Sequence, residues 1–198
     1  MDCSRRVEGP REDYVDQIKI LSEKTGFYYY FAEAIKVGGS NPYGNAILSK
    51  YPIINAEVIS IPDPENKKYK ENYETRCILK AQIDVCGGLN ILISHFGLNK
   101  DEQKNAVTTV LENLPDEKCV LMGDFNMKPR NRILKPIKER LYDTAKKFEY
   151  KKLSYPSDKP KVKIDYVFAS KDLCVVNADI PKIISSDHRP HLATIDLK

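Results

Sequence analysis

Three apolar segments of this sequence end in, or contain, polar residues that are costly to bury. His95 follows one strand-like apolar run, Asp124 follows another, and Asp165 lies inside a third. A buried carboxylate without a partner costs several kcal/mol, so Asp165 should have a fixed partner or face a polar site. Asn126 lies two positions after Asp124, and in an extended segment both side chains leave from the same face. These four residues are therefore candidates for chemistry.

A further polar group, Asp187 and His188, precedes the last apolar segment. Each feature also has a structural explanation: a histidine at a strand end, an Asx turn around residues 124–126, a solvated loop at 187–188, or a structural ion pair at Asp165. Two of the three histidines of the chain fall among these features. The coincidence of four such features in one small chain favours a shared site.

The residue types of this candidate site are oxygen donors and imidazoles, without a cysteine cluster. Oxygen ligands suit Mg²⁺ or Mn²⁺, which bind few carboxylates, several waters and substrate phosphate oxygens. An aspartate can take a proton from an attacking water that an asparagine holds in line. A histidine supported by a carboxylate can donate to a phosphoryl oxygen on which negative charge builds. The set indicates metal-assisted phosphoester hydrolysis.

The composition indicates a globular protein and excludes several other classes. The chain has 198 residues, of which 41% are hydrophobic and 30% charged, and a net charge of +4. It contains no run of ~20 apolar residues and no secretory signal, so we expect no membrane span. Four of its five cysteines lie beside apolar runs, which predicts reduced core thiols and a cytoplasmic location. We expect one domain over residues 1–198, acting as a monomer.

The elements that must position these residues are predicted from apolar periodicity and turn residues. The pattern indicates a first helix over 11–24, a hairpin that turns at Gly87 and Gly88, a helix that begins after Asn99, and a short helix interrupted or kinked at Pro136. Hairpins alternate with strand–helix–strand units. This order favours layered α/β packing with mixed β-sheets over a purely parallel sheet.

Five stretches of the sequence together resemble a known family, the endonuclease/exonuclease/phosphatase superfamily of Mg²⁺-dependent phosphoesterases. They occur in the family's order and cover nearly the whole chain. The stretches are 43–50 (Tyr-Gly-Asn-Ala-Ile-Leu-Ser-Lys), 93–95 (Ile-Ser-His), 123–126 (Gly-Asp-Phe-Asn), 155–160 leading into 164–166 (Ile-Asp-Tyr), and 186–188 (Ser-Asp-His). The resemblance implies a DNase I-like four-layer α/β sandwich, in which two packed mixed β-sheets are flanked by helices.

The resemblance also implies roles for four of the candidate residues. Asp124 resembles the residue that orients or deprotonates the attacking water, and Asn126 resembles the partner that positions that water. His188 is similar to the histidine that contacts the scissile phosphate. Asp165 is similar to the carboxylate that supports this histidine.

Three further residues take roles from the resemblance alone. Asp187 resembles a ligand of the metal or of a metal-bound water, and the cofactor implied is Mg²⁺ or Mn²⁺. His95 is similar to a second histidine on the phosphate side. Arg76 lies where some members place a substrate-binding arginine that contacts phosphate, a looser match.

The sequence departs from the family at its start. Members begin with a strand, a helix and a second strand that ends in Gln-Glu, whose glutamate is the main metal ligand. This chain opens with Met1-Asp2-Cys3 and resembles the segment directly after that glutamate. The resemblance therefore implies an N-terminally incomplete domain, with Met1 an internal methionine. It also implies weak Mg²⁺ affinity and low activity for these residues alone.

The substrate is specified least by the sequence. Residues 146–163 contain seven lysines against two acids, a net charge of +5. This charge can steer a phosphorylated small molecule, a phospholipid headgroup or nucleic acid, and a solvated loop is the alternative. Two other functions are alternatives: a truncated or non-catalytic module that binds a phosphate ligand, and a zinc site begun by His188 and His191, which lacks a suitably spaced third ligand.

Overall fold

A computed structural model describes residues 15–197 of the chain. Within this range the helices are α1 (Gln17–Thr25), α2 (Lys100–Asn113) and α3 (Lys135–Arg140). The first strands are β1 (Tyr28–Val37), β2 (Asn41–Ser49), β3 (Ile53–Ser60), β4 (Cys77–Ile83) and β5 (Leu89–Ser94). The later strands are β6 (Cys119–Asp124), β7 (Tyr142–Asp143), β8 (Asp165–Ala169), β9 (Cys174–Asp179) and β10 (Leu192–Asp196).

The largest sheet has six strands in the order β3-β4-β5-β6-β8-β7. Strands β5 and β6 are parallel and the other neighbours are antiparallel, so this sheet is mixed, as predicted. Successive side chains alternate between its two faces. In β4, for example, Cys77 and Leu79 belong to the core on one face and Ile78 to the core on the other.

The two faces of this central sheet are covered by different elements. Helices α2 and α3 pack on one face, where Leu92, Leu121 and Phe168 lie in the core. The hairpins β1–β2 and β9–β10 pack on the opposite face, with α1 against β1 and β2. The layers are therefore helix, strand, strand and helix, and the predicted four-layer α/β sandwich is confirmed.

The second strand layer is built from two separate antiparallel ribbons. Among residues 15–197, β2 pairs only with β1 and β10 pairs only with β9. A cavity of about 170 Å³ lies between the ribbons and is lined by residues 44–48 from β2 and residues 189–191 before β10. Its floor is formed by the central strands, and at one end it reaches the candidate site.

Two local predictions can be compared with the structure. Gly87 and Gly88 have φ of 79° and 104°, so the predicted turn uses the positive φ that glycine permits. The predicted short helix is interrupted beside Pro136, because a 3₁₀ helix over Arg132–Leu134 precedes α3 and Pro136 lies in the first turn of α3, where proline is tolerated. The first helix, predicted over 11–24, covers Gln17–Thr25 in the structure, and residues 11–14 lie outside the described range.

The cysteines only partly match the expectation of core residues. Cys77 and Cys119 are buried free thiols, and burial raises the pKa of Cys119 to about 12. Cys86 and Cys174 are exposed. Cys86 lies in the β4–β5 turn, and Cys174 lies on the face of β9 that is turned away from the core. Over residues 15–197, every helix is too short or too polar to span a bilayer.

Candidate active site

Three central strands bring His95, Asp124 and Asp165 to one edge of the sheet. Because β5 and β6 are parallel, their carboxyl ends meet at this edge, and His95 directly follows β5 while Asp124 ends β6. Strand β8 runs antiparallel to β6, so its first residue lies there too: Asp165 is the register partner of Asp124. The topology therefore explains why residues from distant parts of the chain converge.

His188 and Asp165 form a buried pair. The Nδ1 atom of His188 lies 2.9 Å and 3.0 Å from the two carboxylate oxygens, and both residues are less than 10% exposed. A carboxylate only accepts hydrogen bonds, so Nδ1 donates and Nε2 points away from Asp165. The residue whose neighbours were all apolar thus has the fixed partner that its burial requires.

The loop that carries His188 is hydrogen-bonded to the hairpin-like segment 154–162. Ser157 N donates to the carbonyl of Asp187 at 2.7 Å, and Arg189 N donates to that of Ser154 at 2.8 Å. The ring of Tyr155 packs on His188 with centroids 4.7 Å apart. Backbone pairing and aromatic packing together fix the position of the imidazole.

Asp124 lies between two imidazoles. Its Oδ2 atom is 3.5 Å from Nε2 of His95 and 3.8 Å from Nε2 of His188. Gly123 allows the backbone to approach β5 closely: its φ is 143°, and a Cβ there would meet the carbonyl of Ser94 at 1.9 Å. Ligand atoms from Asp124, Asp165 and His188 all lie within 4.8 Å of one another.

Asn126 follows in a left-handed conformation with φ of 50°, which asparagine tolerates better than most residues. Its N–H donates to Oδ1 of Asp124 at 2.8 Å, and its Nδ2 donates to the carbonyl of Phe96 at 2.9 Å. Its own carbonyl accepts from Nε2 of Gln103 on α2 at 3.3 Å. Its amide nitrogen also lies 3.1 Å from Nε2 of His95, so Asn126 is part of the cluster.

Arg76 reaches the same cluster from the start of β4. Its Nη1 atom lies 3.1 Å from Nδ1 of His95 and donates to the hydroxyl of Tyr43 at 3.2 Å. Its Nη2 atom pairs with the carboxylate of Glu74 at 2.6 Å. The guanidinium is therefore bound to protein groups on two sides.

The structure places Asp187 differently from the other predicted residues. It is exposed, and the ligand atoms grouped within 4.8 Å come from Asp124, Asp165 and His188. The sequence also left open a zinc site at His188 and His191. His191 instead donates from Nδ1 to the carbonyl of Asp165 at 3.2 Å and meets Thr144 at Nε2, so both its nitrogens contact protein groups.

Four residues of the site carried no assigned role in the sequence. Tyr43 and Tyr155 lie in the stretches that resemble the family, so the sequence marked these stretches but gave neither tyrosine a role. Glu74 and Gln103 lie outside these stretches, and no pattern marks them. They act through tertiary contacts that only the fold creates.

The lysine-rich segment 146–163 is not a uniform charged surface. Lys163 is buried, with its Nζ donating to the carbonyl of Asp165 at 2.9 Å, and burial lowers its pKa to about 8. Lys152 pairs with Asp179. Exposed lysines of this segment are Lys146, Lys147, Lys151, Lys159 and Lys161.

Comparison with known proteins identifies the family. Residues 8–188 match the sequence profile described as Endonuclease/Exonuclease/phosphatase family. The chain belongs to this family. Members of the endonuclease/exonuclease/phosphatase family typically hydrolyse phosphoester bonds, so the family places the chain in a phosphoesterase class. No curated protein sequence matches the chain.

Solved structures share the fold of this chain at low sequence identity. A mannosyl-6-phosphatase from Bacteroides thetaiotaomicron VPI-5482 has 16% identity and a TM-score of 0.75, over 91% of this chain and 81% of that one. The human Nocturnin catalytic domain with bound sulfate has 18% identity and a TM-score of 0.66, over 90% of this chain and 77% of that one. TDP2 from D. rerio complexed with a single-stranded DNA product has 16% sequence identity and a TM-score of 0.63, over 90% of this chain and 81% of that one.

Proposed function

We propose that this chain is a divalent-metal-dependent phosphoester hydrolase. One observation carries the proposal: the buried Asp165–His188 pair and His95 place two imidazole Nε2 atoms 3.8 Å and 3.5 Å from the same carboxylate oxygen of Asp124. General-base and hydrogen-bond-donor groups thus surround one point at the edge of the sheet. Phosphoester hydrolysis needs both kinds of group.

Asp124 and Asn126 are the groups that we assign to the attacking water. Asp124 orients the water or accepts its proton, and Asn126 holds that water in line for attack on phosphorus. The backbone contact of 2.8 Å between the two residues fixes their relative position. Positioning of this kind lowers the barrier because the reactants are already oriented before reaction.

His188 and His95 are the groups that we assign to the phosphoryl oxygens. Asp165 holds Nδ1 of His188, so Nε2 is the atom available for the phosphate. Imidazole donors stabilise the negative charge that develops on phosphoryl oxygens in the transition state. Arg76, predicted to bind substrate, lies beside His95 at the same cluster.

The donor set fits a hard divalent cation. Mg²⁺ and Mn²⁺ prefer oxygen ligands and retain several waters, so two carboxylates suffice. The carboxylates that lie close together are those of Asp124 and Asp165, so these two residues would hold the ion. Asp187, predicted from sequence as a ligand of the metal or of a metal-bound water, is exposed and lies outside this group. A bound cation would supply Lewis-acid polarisation of a phosphoryl oxygen.

The substrate that we propose is a phosphate ester of a small molecule, a lipid headgroup or a nucleic acid. Structural relatives described as a mannosyl-6-phosphatase and as TDP2 with a DNA product support this range. Exposed lysines in 146–163 lie on the segment that is hydrogen-bonded to the His188 loop, where they can attract an anion.

A substrate panel tests the proposal. Monoesters, diesters, inositol phosphates and single-stranded DNA are incubated with the full chain in Mg²⁺, in Mn²⁺ and in EDTA. We expect metal-dependent turnover of at least one ester, and its loss in Asp124→Ala. The matched control is Asp116→Ala, whose carboxylate is 94% exposed before the opposite end of β6.

The alternative, a module that binds a phosphate ligand without turnover, is a distinct outcome of the same panel. It predicts that a ligand raises the melting temperature while no ester is hydrolysed. Absence of turnover in every metal would overturn the enzymatic proposal.

A further inference from the structure

The two terminal nitrogens of Arg76 contact protein groups. The residue is 9% exposed. Nη2 pairs with Glu74, and Nη1 meets both Tyr43 and His95. Nε is buried with no hydrogen-bond partner among the described residues. This geometry differs from that of a cation held open to a ligand, and it points to a role within the cluster.

The contacts at Nδ1 of His95 come from two donors. Arg76 Nη1 is 3.1 Å away, and a guanidinium can only donate. The hydroxyl of Tyr43 is 3.5 Å away, and its oxygen accepts from the same Nη1. The proton of that hydroxyl is therefore able to point to His95. Both contacts are satisfied only when Nδ1 carries no hydrogen.

The contacts at Nε2 of His95 are a carboxylate and an amide. Oδ2 of Asp124 is 3.5 Å away and requires a donor. Nδ2 of Asn126 is 3.1 Å away and is itself a donor, which favours the opposite tautomer. The amide nitrogen carries two hydrogens, one of which is donated to the carbonyl of Phe96 at 2.9 Å, and the amide is uncharged. A charged donor forms a hydrogen bond about twice as strong as that of a neutral donor, so Arg76 at Nδ1 outweighs Asn126 at Nε2. The negative charge of Asp124, 3.5 Å from Nε2, also attracts a proton on that nitrogen.

We propose that Arg76 is a positioning residue that fixes His95 as the Nε2–H tautomer. His95 then presents a hydrogen-bond donor, and not a base, on the side of Asp124 where we place the phosphate. Arg76 acts through His95 and not by direct contact with the substrate. The structural assignment stands alone, whereas its catalytic consequence rests on the proposed phosphoesterase function.

The tautomer is measured directly in the unmodified protein. Long-range ¹H–¹⁵N correlation spectra of the metal-free chain distinguish a protonated ring nitrogen from an unprotonated one, and only three histidines contribute signals. A His95→Gln variant assigns the residue. At neutral pH we expect His95 to show a pyridine-like Nδ1 and a pyrrole-like Nε2. A pyrrole-like Nδ1 with a pyridine-like Nε2 would overturn the proposal and show that Asn126 sets the tautomer. Two pyrrole-like nitrogens would overturn it as well, because His95 would then be an imidazolium with no tautomer to fix.

Substitution of Arg76 tests the cause. Arg76→Met removes the donor and retains most of the side-chain volume, and Glu74 is 39% exposed and can be solvated. We expect the His95 signals to shift towards a mixture of tautomers, while His191 is unchanged as an internal reference. Arg76→Lys retains a cationic donor and should preserve the wild-type tautomer. The matched control is Arg140→Met, whose ion pair with Asp116 lies before the opposite end of β6. An unchanged His95 tautomer in Arg76→Met would contradict the proposal.

Kinetics separates this role from phosphate binding. On any ester hydrolysed by the wild type, Arg76→Met should lower kcat by about 10- to 1,000-fold with little change in KM, because a histidine in the wrong tautomer cannot supply its hydrogen bond. A rise in KM with kcat retained would instead show that Arg76 binds the phosphate directly. If no ester is hydrolysed, the proposed function fails while the spectra still decide the tautomer.

Discussion

The Nδ1 atom of His188 lies 2.9 Å from Oδ2 of Asp165, although 23 positions separate the two residues. The carboxylate comes from the first residue of a central strand, and the imidazole comes from a loop that is hydrogen-bonded to the segment 154–162. Asp165, on the rigid central strand, therefore orients His188 on the loop. Pairs of this kind hold a histidine in one tautomer and direct its second nitrogen at a substrate.

Replacement of Asp165 by Asn should therefore reduce catalysis far more than stability. The amide retains the size of the side chain but no longer selects the Nδ1–H tautomer of His188. We expect kcat to fall by about 10²- to 10⁴-fold, with a folded protein by circular dichroism. The control is Asp116→Asn at the opposite end of β6. Equal kcat in both variants would contradict the role of the pair.

Asp124 should determine the coupling between metal and stability. A ligand that binds only the folded state raises stability, by about 2.7 kcal/mol at a concentration of 100 times its Kd. We expect Mg²⁺ to raise the melting temperature of the wild type, and Asp124→Asn to abolish that rise. Calorimetry across a Mg²⁺ titration measures it, with Asp116→Asn as the control. A Mg²⁺ effect that survives in Asp124→Asn would place the ion elsewhere.

Tyr155 should influence catalysis through its ring and not through its hydroxyl. The ring packs on His188 at 4.7 Å and is 38% exposed. Because an aromatic pair contributes about 0.5–1.5 kcal/mol, Tyr155→Ala should lower kcat/KM by about 2- to 10-fold. Tyr155→Phe should retain wild-type activity. A loss of activity in Tyr155→Phe would instead assign a role to the hydroxyl.

His191 should make the protein less stable as the pH falls. Burial lowers its folded pKa to about 3, against an ordinary value of 6.5. Between these values the unfolded chain binds a proton that the folded protein does not, so stability falls with decreasing pH by up to about 1.4 kcal/mol per pH unit.

Urea unfolding at pH 7 and pH 5 measures this effect. His191→Asn, whose amide can still donate to the carbonyl of Asp165, removes the titration. We expect the wild type to lose about 2 kcal/mol more than the variant between the two pH values. Parallel losses would show that the folded pKa of His191 is close to its ordinary value.

Three residues of the site could be predicted because each ends or interrupts an apolar pattern. Asp165 within a buried strand, and His95 and Asp124 after two others, conflict with burial unless they share a polar site. Their common edge follows from the strand order, which the mixture of hairpins and crossovers indicated only in outline.

Other features depend on packing that no local pattern encodes. Glu74 is remote from any motif and acts through the guanidinium of Arg76. Lys163 lies in a lysine-rich segment, whose composition predicts a solvated side chain. Its Nζ is instead buried against the ring of Tyr166, 3.5 Å from the ring centroid. The division of the second strand layer into two ribbons was also not expected from the sequence. In each case the partner comes from a distant part of the chain.

The two ribbons of the second strand layer have a mechanical consequence. Because no ladder of backbone hydrogen bonds joins β2 to β10 among residues 15–197, one ribbon can open without breaking backbone hydrogen bonds of the other. The two ribbons are coupled through side chains of the core that both share. Tyr43 belongs to the first ribbon, and the loop of His188 leads into the second. The imidazoles of His95 and His188 are therefore contacted from two ribbons that share no backbone ladder among the described residues, and their separation depends on the stiffness of the central sheet beneath them.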